Sequence, residues 1–244
     1  RVQELTPATG EINIEELLNN IEHFITQHAI LPPGASDAVA LWCLSAYNIN
    51  CFRIFPKLTI HSAVKRCGKS TLLDLIEAFC PKAFITSNMT AATIFRLIDK
   101  SQPTLIIDEA DTFVAGDNKD IVGIINGGHA RNRAYVTRCV GETYEPKKFS
   151  TWSPMVLASI GELQPTIMDR SVVISIQRKA MHEKVKRIPV DLSDSAEPLR
   201  KELLKWSLDN SSTIKDSPIE PPDLGNSRAV DNWLPLFTIA RLVS

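Results

Sequence analysis

The sequence predicts an α/β protein: a three-layer parallel sheet with helices on both faces, N-terminal helices before it and a small C-terminal helical lid after it. Three observations carry this. Short apolar runs alternate with segments whose apolar residues recur at helical spacing, the pattern of a doubly wound sheet. The run "KLTIHS" passes through a glycine-containing turn directly into the helical pattern "KSTLLDLIEAFC". The run "PTLIIDEAD" is apolar and then acidic, as a buried parallel strand with a polar C-terminal end should be.

The elements follow in order. "IEELLNNIEHFITQHAI" reads as a helix ended by "LPPG", and "SDAVALWCLSAYNI" as a second helix with Ser36 or Asp37 as candidate N-cap. After the strand and helix already quoted, "AFITSN" is strand-like and "MTAATIFRLID" is a helix capped by Thr90. The acidic strand is followed by the helix "NKDIVGIINGGH" and the β-ribbon "RAYVTRCVGETYEPKKFSTW". Two further strands, "PMVLASIG" and "RSVVISIQR", complete the core. Beyond about Ala180 the helices "EPLRKELLKWSLDN" and "SRAVDNWLPLFTIARLV" flank the loop "KDSPIEPPDLGN". The expected division is an N-terminal helical segment over 1–50, a core over 51–180 and a helical lid over 181–244.

With 244 residues the chain can bury a substantial core. A net charge of −1 and a pI near 6.6 leave any nucleic-acid contact to local patches. The five cysteines form no C-x-x-C pair and no zinc-spaced cluster with histidine, as expected of reduced thiols in a cytoplasmic protein. No apolar run approaches the ~18 residues of a membrane span. A start at Arg1 without methionine and a stop after "IARLVS" fit a domain cut from a longer protein.

"HSAVKRCGKSTLL", His61 to Leu73, matches the last three positions of G-x-x-x-x-G-K-[ST] with Gly68, Lys69 and Ser70. Ala63 stands at the first glycine, where it can serve if its φ stays negative. The chemistry needs this placement after a strand and before a helix. Backbone N–H groups of the turn surround a β-phosphate, Lys69 adds charge at the β/γ-phosphates, and Ser70 offers a hydroxyl to Mg²⁺. The candidate ATP-binding set is therefore Ala63, Val64, Lys65, Arg66, Cys67, Gly68, Lys69, Ser70 and Thr71. The bland alternative is a Gly-capped loop before an apolar helix. At the end of the acidic strand, Asp108 is placed to hold Mg²⁺ through its water shell and Glu109 to polarise an attacking water. The alternative there is an acidic turn at the end of the strand.

Between Lys69 and Asp108 there is room for a helix, an extra strand and a second helix. With the Asp-Glu pair, that spacing resembles the additional-strand, catalytic-glutamate division of P-loop ATPases, which includes AAA+ proteins. The resemblance implies a polar residue at the end of the next strand, for which Ser159 is the candidate, although a small residue ending a strand explains it equally. "TIMDRSVVISIQR" resembles the Asp-Arg step before the last core strand of AAA+ and minichromosome-maintenance-type ATPases. By that likeness Arg170 reaches into a neighbour's site; a surface ion pair with Asp169 is the alternative. Arg228 resembles a second sensor arginine that binds the γ-phosphate, against a solvated helix start.

The ribbon carries Arg131, Arg133, Arg138, Lys147 and Lys148 against Glu142 and Glu145, net +3, with Tyr135 and Tyr144 interspersed. Such a hairpin can grip a nucleic-acid backbone, DNA being the expected partner, or be a solvated surface ribbon. The basic run Arg178 to Arg187 reads as a solvated linker.

"DAVALWCLSAYN", "FPKLTIHSAVKRCGKSTLLDLI", "SNMTAATIFRLID", "TLIIDEADTF", "IINGGHARN", "LASIGELQPTIMDRSVVISIQRK" and "RAVDNWLPLFTIA" occur in that order. Together they resemble a bacterial and prophage family of P-loop ATPases of unknown function, often beside or fused to primase-type regions in mobile elements. Ser62, Lys65, Arg66, Cys67, Gly68, Lys69 and Ser70 match that family's phosphate loop, and Ala63 replaces its usual proline. The resemblance implies an ATPase core with replication-associated neighbours. Taken with the motifs, the leading expectation is an ATPase working with ATP and Mg²⁺ that assembles as a ring, such as a hexamer, and drives DNA unwinding or remodelling in replication of a phage, plasmid or integrated element. The other expectation is an ATP-dependent oligomeric switch without translocation.

Overall fold

The computed structural model describes residues 5–113, 118–217 and 219–243. The N-terminal residues 1–4 and Pro218 of the expected loop lie outside them. The elements are α1 (Ile14–His28), α2 (Ala35–Tyr47), β1 (Lys57–Ser62), α3 (Lys69–Phe79), β2 (Phe84–Thr86), α4 (Ala91–Ser101) and β3 (Leu105–Ile107). They continue with α5 (Ala110–Phe113), α6 (Lys119–Gly127), β4 (Tyr135–Val140), β5 (Glu145–Ser150), β6 (Met155–Ile160), α7 (Pro165–Met168), β7 (Ser171–Ser175), α8 (Leu192–Asp216) and α9 (Ser227–Val243).

Five strands form one parallel sheet in the order β2–β3–β6–β1–β7, while β4 and β5 pair as a separate antiparallel hairpin. Alternation along the strands divides the core in two. Leu58, Ile60, Ile106, Val156, Ala158, Val172 and Ile174 face a cluster that holds Trp42, Leu72, Ile76, Phe79, Trp206 and Leu236. Leu105, Ile107, Met155 and Leu157 face the other cluster, with Ile94, Phe95, Ile98, Ile121 and Ile124. The result is the expected three-layer α/β architecture, helices on both faces of a parallel sheet.

Local chemistry explains most boundaries. The Asn13 side chain accepts from Glu16 N at 3.2 Å and caps α1, which buries Leu17, Ile21 and Ile25. The Thr90 hydroxyl accepts from Thr93 N and caps α4 as expected. α2 departs from expectation: Gly34 is its N-cap, at φ 74, and Ser36 inside the helix instead donates to the Glu22 carboxylate at 3.0 Å. The "LPPG" turn sets that start, because Ala35 N donates to Pro32 O. α8 is longer than its charged sequence suggested, at 25 residues.

The C-terminal helices are no separate lobe. Leu203, Trp206, Leu236 and Ile239 belong to the same buried cluster as Leu17, Ile21, Trp42 and the apolar face of α3. The segments expected over 1–50 and 181–244 therefore pack together on one side of the sheet. Among the described residues, no helix is long and apolar enough to cross a membrane.

Candidate functional site

A parallel sheet has two unlike ends, and every candidate catalytic, nucleotide-binding and metal residue lies at one or the other. At the C-terminal end, β1 leaves the sheet at Ser62 and a loop over 63–68 leads into α3. Gly68 is the N-cap of α3 at φ 84, and Arg66 also lies in the left-handed region at φ 65. A residue with a side chain resists that region, so Arg66 stores strain that glycine at 68 avoids. Ala63 stays outside that region, as its role requires. The turn is held by Ser62 Oγ donating to Val64 O at 2.9 Å and by Cys67 Sγ at 3.1 Å from the same oxygen.

What this loop leaves open matters more. No side chain caps α3, so the N–H groups of its first turn lack side-chain partners. Ala63, Val64, Lys65 and Arg66 are exposed, and Lys69 and Thr71 are half-buried. Among the described residues, neither the Lys69 ammonium nor the Ser70 hydroxyl makes a hydrogen bond or ion pair. Lys69 and Ser70 thus put a cation and a hydroxyl on the first turn of a helix whose N-terminus is positive.

The acidic residues stand two strands away at the same end. Asp108 N donates to Thr86 O at 2.9 Å, which fixes the end of β3 against β2. Asp108 Oδ1 accepts from Glu109 N at 2.9 Å, and Glu109 takes a φ of 54. Glu109 is exposed and lines a cleft of about 800 Å³ with Ser87–Ala91, Thr112 and Asn118–Ile121. A neighbour that sequence reasoning missed is Asp74, one turn beyond Ser70 on α3. Burial, and then the charge of Asp108, push its carboxyl above the usual carboxylate range. Burial and the charge of Asp74 do the same to Glu77. The signal was a carboxylate four residues after Ser70, on the same helix face.

Ser159 ends β6 between β1 and β3, in register with His61. Its side chain is buried and its hydroxyl donates to Gly161 O at 2.8 Å, so it serves the backbone turn in this state.

Arg170 and Arg228 lie at the opposite end. Lys57 N, at the start of β1, donates to Arg170 O at 2.9 Å. β1 separates this point from Ser62 by about 17 Å, at roughly 3.3 Å per residue. Arg228 pairs with Asp169 at 3.4 Å, and burial, with the Arg228 charge behind it, lowers the pKa of Arg170. The structure therefore does not bring Arg228 to the glycine loop of its own chain: the start of α9 packs below the sheet. Arg170 Nη1 donates to Thr166 O at 2.6 Å.

A buried polar chain underlies these two arginines. Lys57 is 1% exposed and donates to Gly128 O at 2.8 Å. Burial, with the Arg170 charge behind it, pushes its ammonium down to about 7. His129 Nε2 meets Asn232 Oδ1 at 2.8 Å, and Asn232 Nδ2 donates to Asp169 O at 3.0 Å. Burial pushes the His129 imidazole down to about 4; Lys57, Arg170 and Arg228 push the same way, against the Asn232 hydrogen bond.

The basic ribbon exists as β4–β5, but its cations do not form one stripe. Arg138 pairs opposite Lys147 on the face that also holds Val136 and Phe149. Arg138 lies 5.6 Å from the Phe95 ring centroid and 3.6 Å from Asp120, and Lys147 lies over Phe149 at 5.1 Å. Arg131 donates to Asn50 O at 2.8 Å. Lys148, over the Tyr135 ring at 4.6 Å, is on the other face. Arg133 is exposed, and Tyr144 at the tip is 76% exposed.

No family model and no curated protein matches this chain. A similar solved structure is the apo A form of the C-terminal region of NrS-1, 12% identical with a TM-score of 0.44. The match covers 82% of this chain and 47% of that one, so the chain spans about half the length of that relative.

Proposed function

We propose that this chain is a P-loop ATPase of the additional-strand, catalytic-glutamate kind, AAA+-like in organisation, which hydrolyses ATP with Mg²⁺ and works as a ring of copies. The strand order carries the reading. β6 lies between the loop strand β1 and the acidic strand β3, so the glycine loop, Ser159 and the Asp108–Glu109 turn share one edge of the sheet. In open α/β sheets, ligands bind beyond the carboxyl ends of the strands.

The residues suit the chemistry. Loop and first-turn N–H groups surround the β-phosphate, and the Lys69 ammonium meets the β/γ-phosphate oxygens. Among the described residues no cluster of three or more acidic, histidine or cysteine groups could hold a metal by itself. Mg²⁺ does not need one, since it keeps several waters beside one or two carboxylates and the substrate phosphates. Ser70 and Asp108 fit that demand, and the crowding of Asp74 against Asp108 is negative charge that a cation relieves. When bound, Mg²⁺ neutralises charge on the β- and γ-phosphates. Glu109 accepts the proton of a water that attacks the γ-phosphorus as the bond to the ADP oxygen breaks. Arg170, too far from its own loop, acts on a neighbouring copy.

We further propose that turnover drives remodelling of DNA through the outward face of the ribbon, Lys148 with Tyr135, and through Arg133 and Tyr144. The split of the ribbon cations over two faces favours the second reading, an ATP-driven oligomeric switch that moves nothing. One set of assays separates these. Phosphate release by the purified chain should fall at least ~100-fold in Lys69→Ala and Glu109→Gln; unchanged turnover would overturn the site. Stimulation by single-stranded DNA that Lys148→Glu abolishes and Arg138→Glu does not supports the motor. Turnover indifferent to DNA supports the switch.

A further inference from the structure

We propose that Arg178 grips the α-phosphate and ribose end of the nucleotide bound by the glycine loop of its own chain. This rests on the ATPase reading above and extends it to a segment that the sequence pattern marked only as a solvated linker.

The argument starts from the strand order. The γ-phosphate has to face Asp108 and Glu109, which lie at the end of β3, two strands to one side of β1. The rest of the nucleotide then extends across the loop toward the other side. That side belongs to β7, which pairs with β1 in parallel and ends at the same edge of the sheet. Ile176 N donates to His61 O at 2.9 Å, so the chain leaving β7 runs alongside the start of the loop. Two residues later, Arg178 Nη2 donates to Lys65 O at 3.3 Å, from the flank of the loop away from the carboxylates.

That bond is suited to being exchanged. It is long for a guanidinium, its acceptor is a neutral carbonyl, and both residues are exposed. A phosphate oxygen offers a charge-assisted bond of about 2.7–2.9 Å and can take the guanidinium in bidentate fashion. The segment that carries Arg178 is anchored independently. Lys186 N donates to Gln27 O at 2.8 Å, and its ammonium to Gln27 Oε1 at 3.1 Å, at the end of α1. Between these anchors Ala180 N donates to the Glu183 carboxylate at 2.6 Å. The segment holds Arg178, Lys179, Lys184, Lys186 and Arg187 against the single acid Glu183. A polyphosphate at the loop therefore finds cations on both flanks: Lys69 at the helix end and Arg178 beside β7.

The position predicts a specific signature. A group at the α-phosphate meets ADP and ATP alike, whereas one at the γ-phosphate meets ATP alone. Equilibrium titrations of the whole chain with fluorescent ADP and ATP analogues test this, in wild type, Arg178→Ala, Arg178→Lys and Lys69→Ala. The expected result is weakening of both nucleotides by about tenfold in Arg178→Ala, to a similar degree, with partial recovery in Arg178→Lys. Lys69→Ala should lose more affinity for both. Weakening of ATP alone, or equal affinities in wild type and Arg178→Ala, overturns the role of Arg178 and leaves the loop assignment standing. Failure of the wild type to bind either nucleotide overturns the ATPase reading and this inference with it.

Discussion

The two ends of the parallel sheet both carry charged side chains and treat them in opposite ways. At the carboxyl end, Lys69 and Ser70 have no partner among the described residues, the helix start is uncapped and Arg178 holds only a long bond to a carbonyl. At the amino end, Lys57, His129, Asn232, Asp169 and Arg228 are tied to one another or to backbone, and Lys57, His129 and Asn232 are buried. Open groups await a ligand, whereas satisfied groups fix a geometry. Under the proposed function the carboxyl end is the binding site, and the amino end a rigid mount for Arg170 and Arg228.

The largest effect that tests this contrast comes from Arg170. If the amino end serves a neighbour's carboxyl end, Arg170→Ala should cost ~10³ in turnover, the lower range for an arginine that stabilises transferred-phosphoryl charge. Mixing Arg170→Ala with the inactive Lys69→Ala chain should restore part of the activity. In the mixture an intact loop from one variant meets an intact Arg170 from the other. Phosphate release from mixtures at varied ratio measures this, and mixtures as inactive as their components would mean that the two ends do not meet between copies.

How much of this was legible in the sequence follows the same division. β3 and β6 announced themselves because strands buried on both faces are written as near-continuous apolar runs, LII and MVLASI. The loop was legible because its turn, cation and hydroxyl are contiguous, from Gly68 to Ser70. Asp74 was not, because its closeness to Asp108 depends on where α3 docks across β1, β6 and β3. Arg228 was misplaced for a related reason. Its sequence position says only that it begins a helix, and the packing of α9 on α2 and the base of β7 decides which end of the sheet it meets. The ribbon was correct as an element, yet its cations were summed as one patch. The pairing of Arg138 with Lys147 and of Thr137 with Lys148 puts them on opposite faces, a fact of register that composition does not contain.

A smaller effect should come from the mount itself. Asn232 joins His129 to Asp169 and is 4% exposed, so Asn232→Ala leaves the buried His129 imidazole and the Asp169 carbonyl without their partner. The expected loss is about 1–3 kcal/mol in denaturant unfolding. Nucleotide affinity at the carboxyl end should be unaffected in the chain that remains folded. A parallel loss of affinity would show the two ends to be one coupled unit.

An effect of similar size separates the ends by sign. His129 is held at about 4, below its ordinary 6.5, so between these values the unfolded chain binds more protons than the folded one. Its contribution is fully present above pH 6.5 and is lost as pH falls toward 4. Asp74 shifts the other way: its raised pKa means that the folded chain holds that proton more tightly, so acid relieves it. The amino end therefore makes the protein acid-sensitive while the carboxyl end opposes that. Wild type should lose roughly 1–3 kcal/mol from pH 7 to pH 5 through His129, which is 5% exposed and little screened by solvent. His129→Gln should flatten that slope in unfolding curves at the two pH values, and Asp74→Asn should steepen it. If Asp74→Asn flattened the slope instead, the acid sensitivity would belong to the carboxyl end, and the division of labour between the two ends of the sheet would fail.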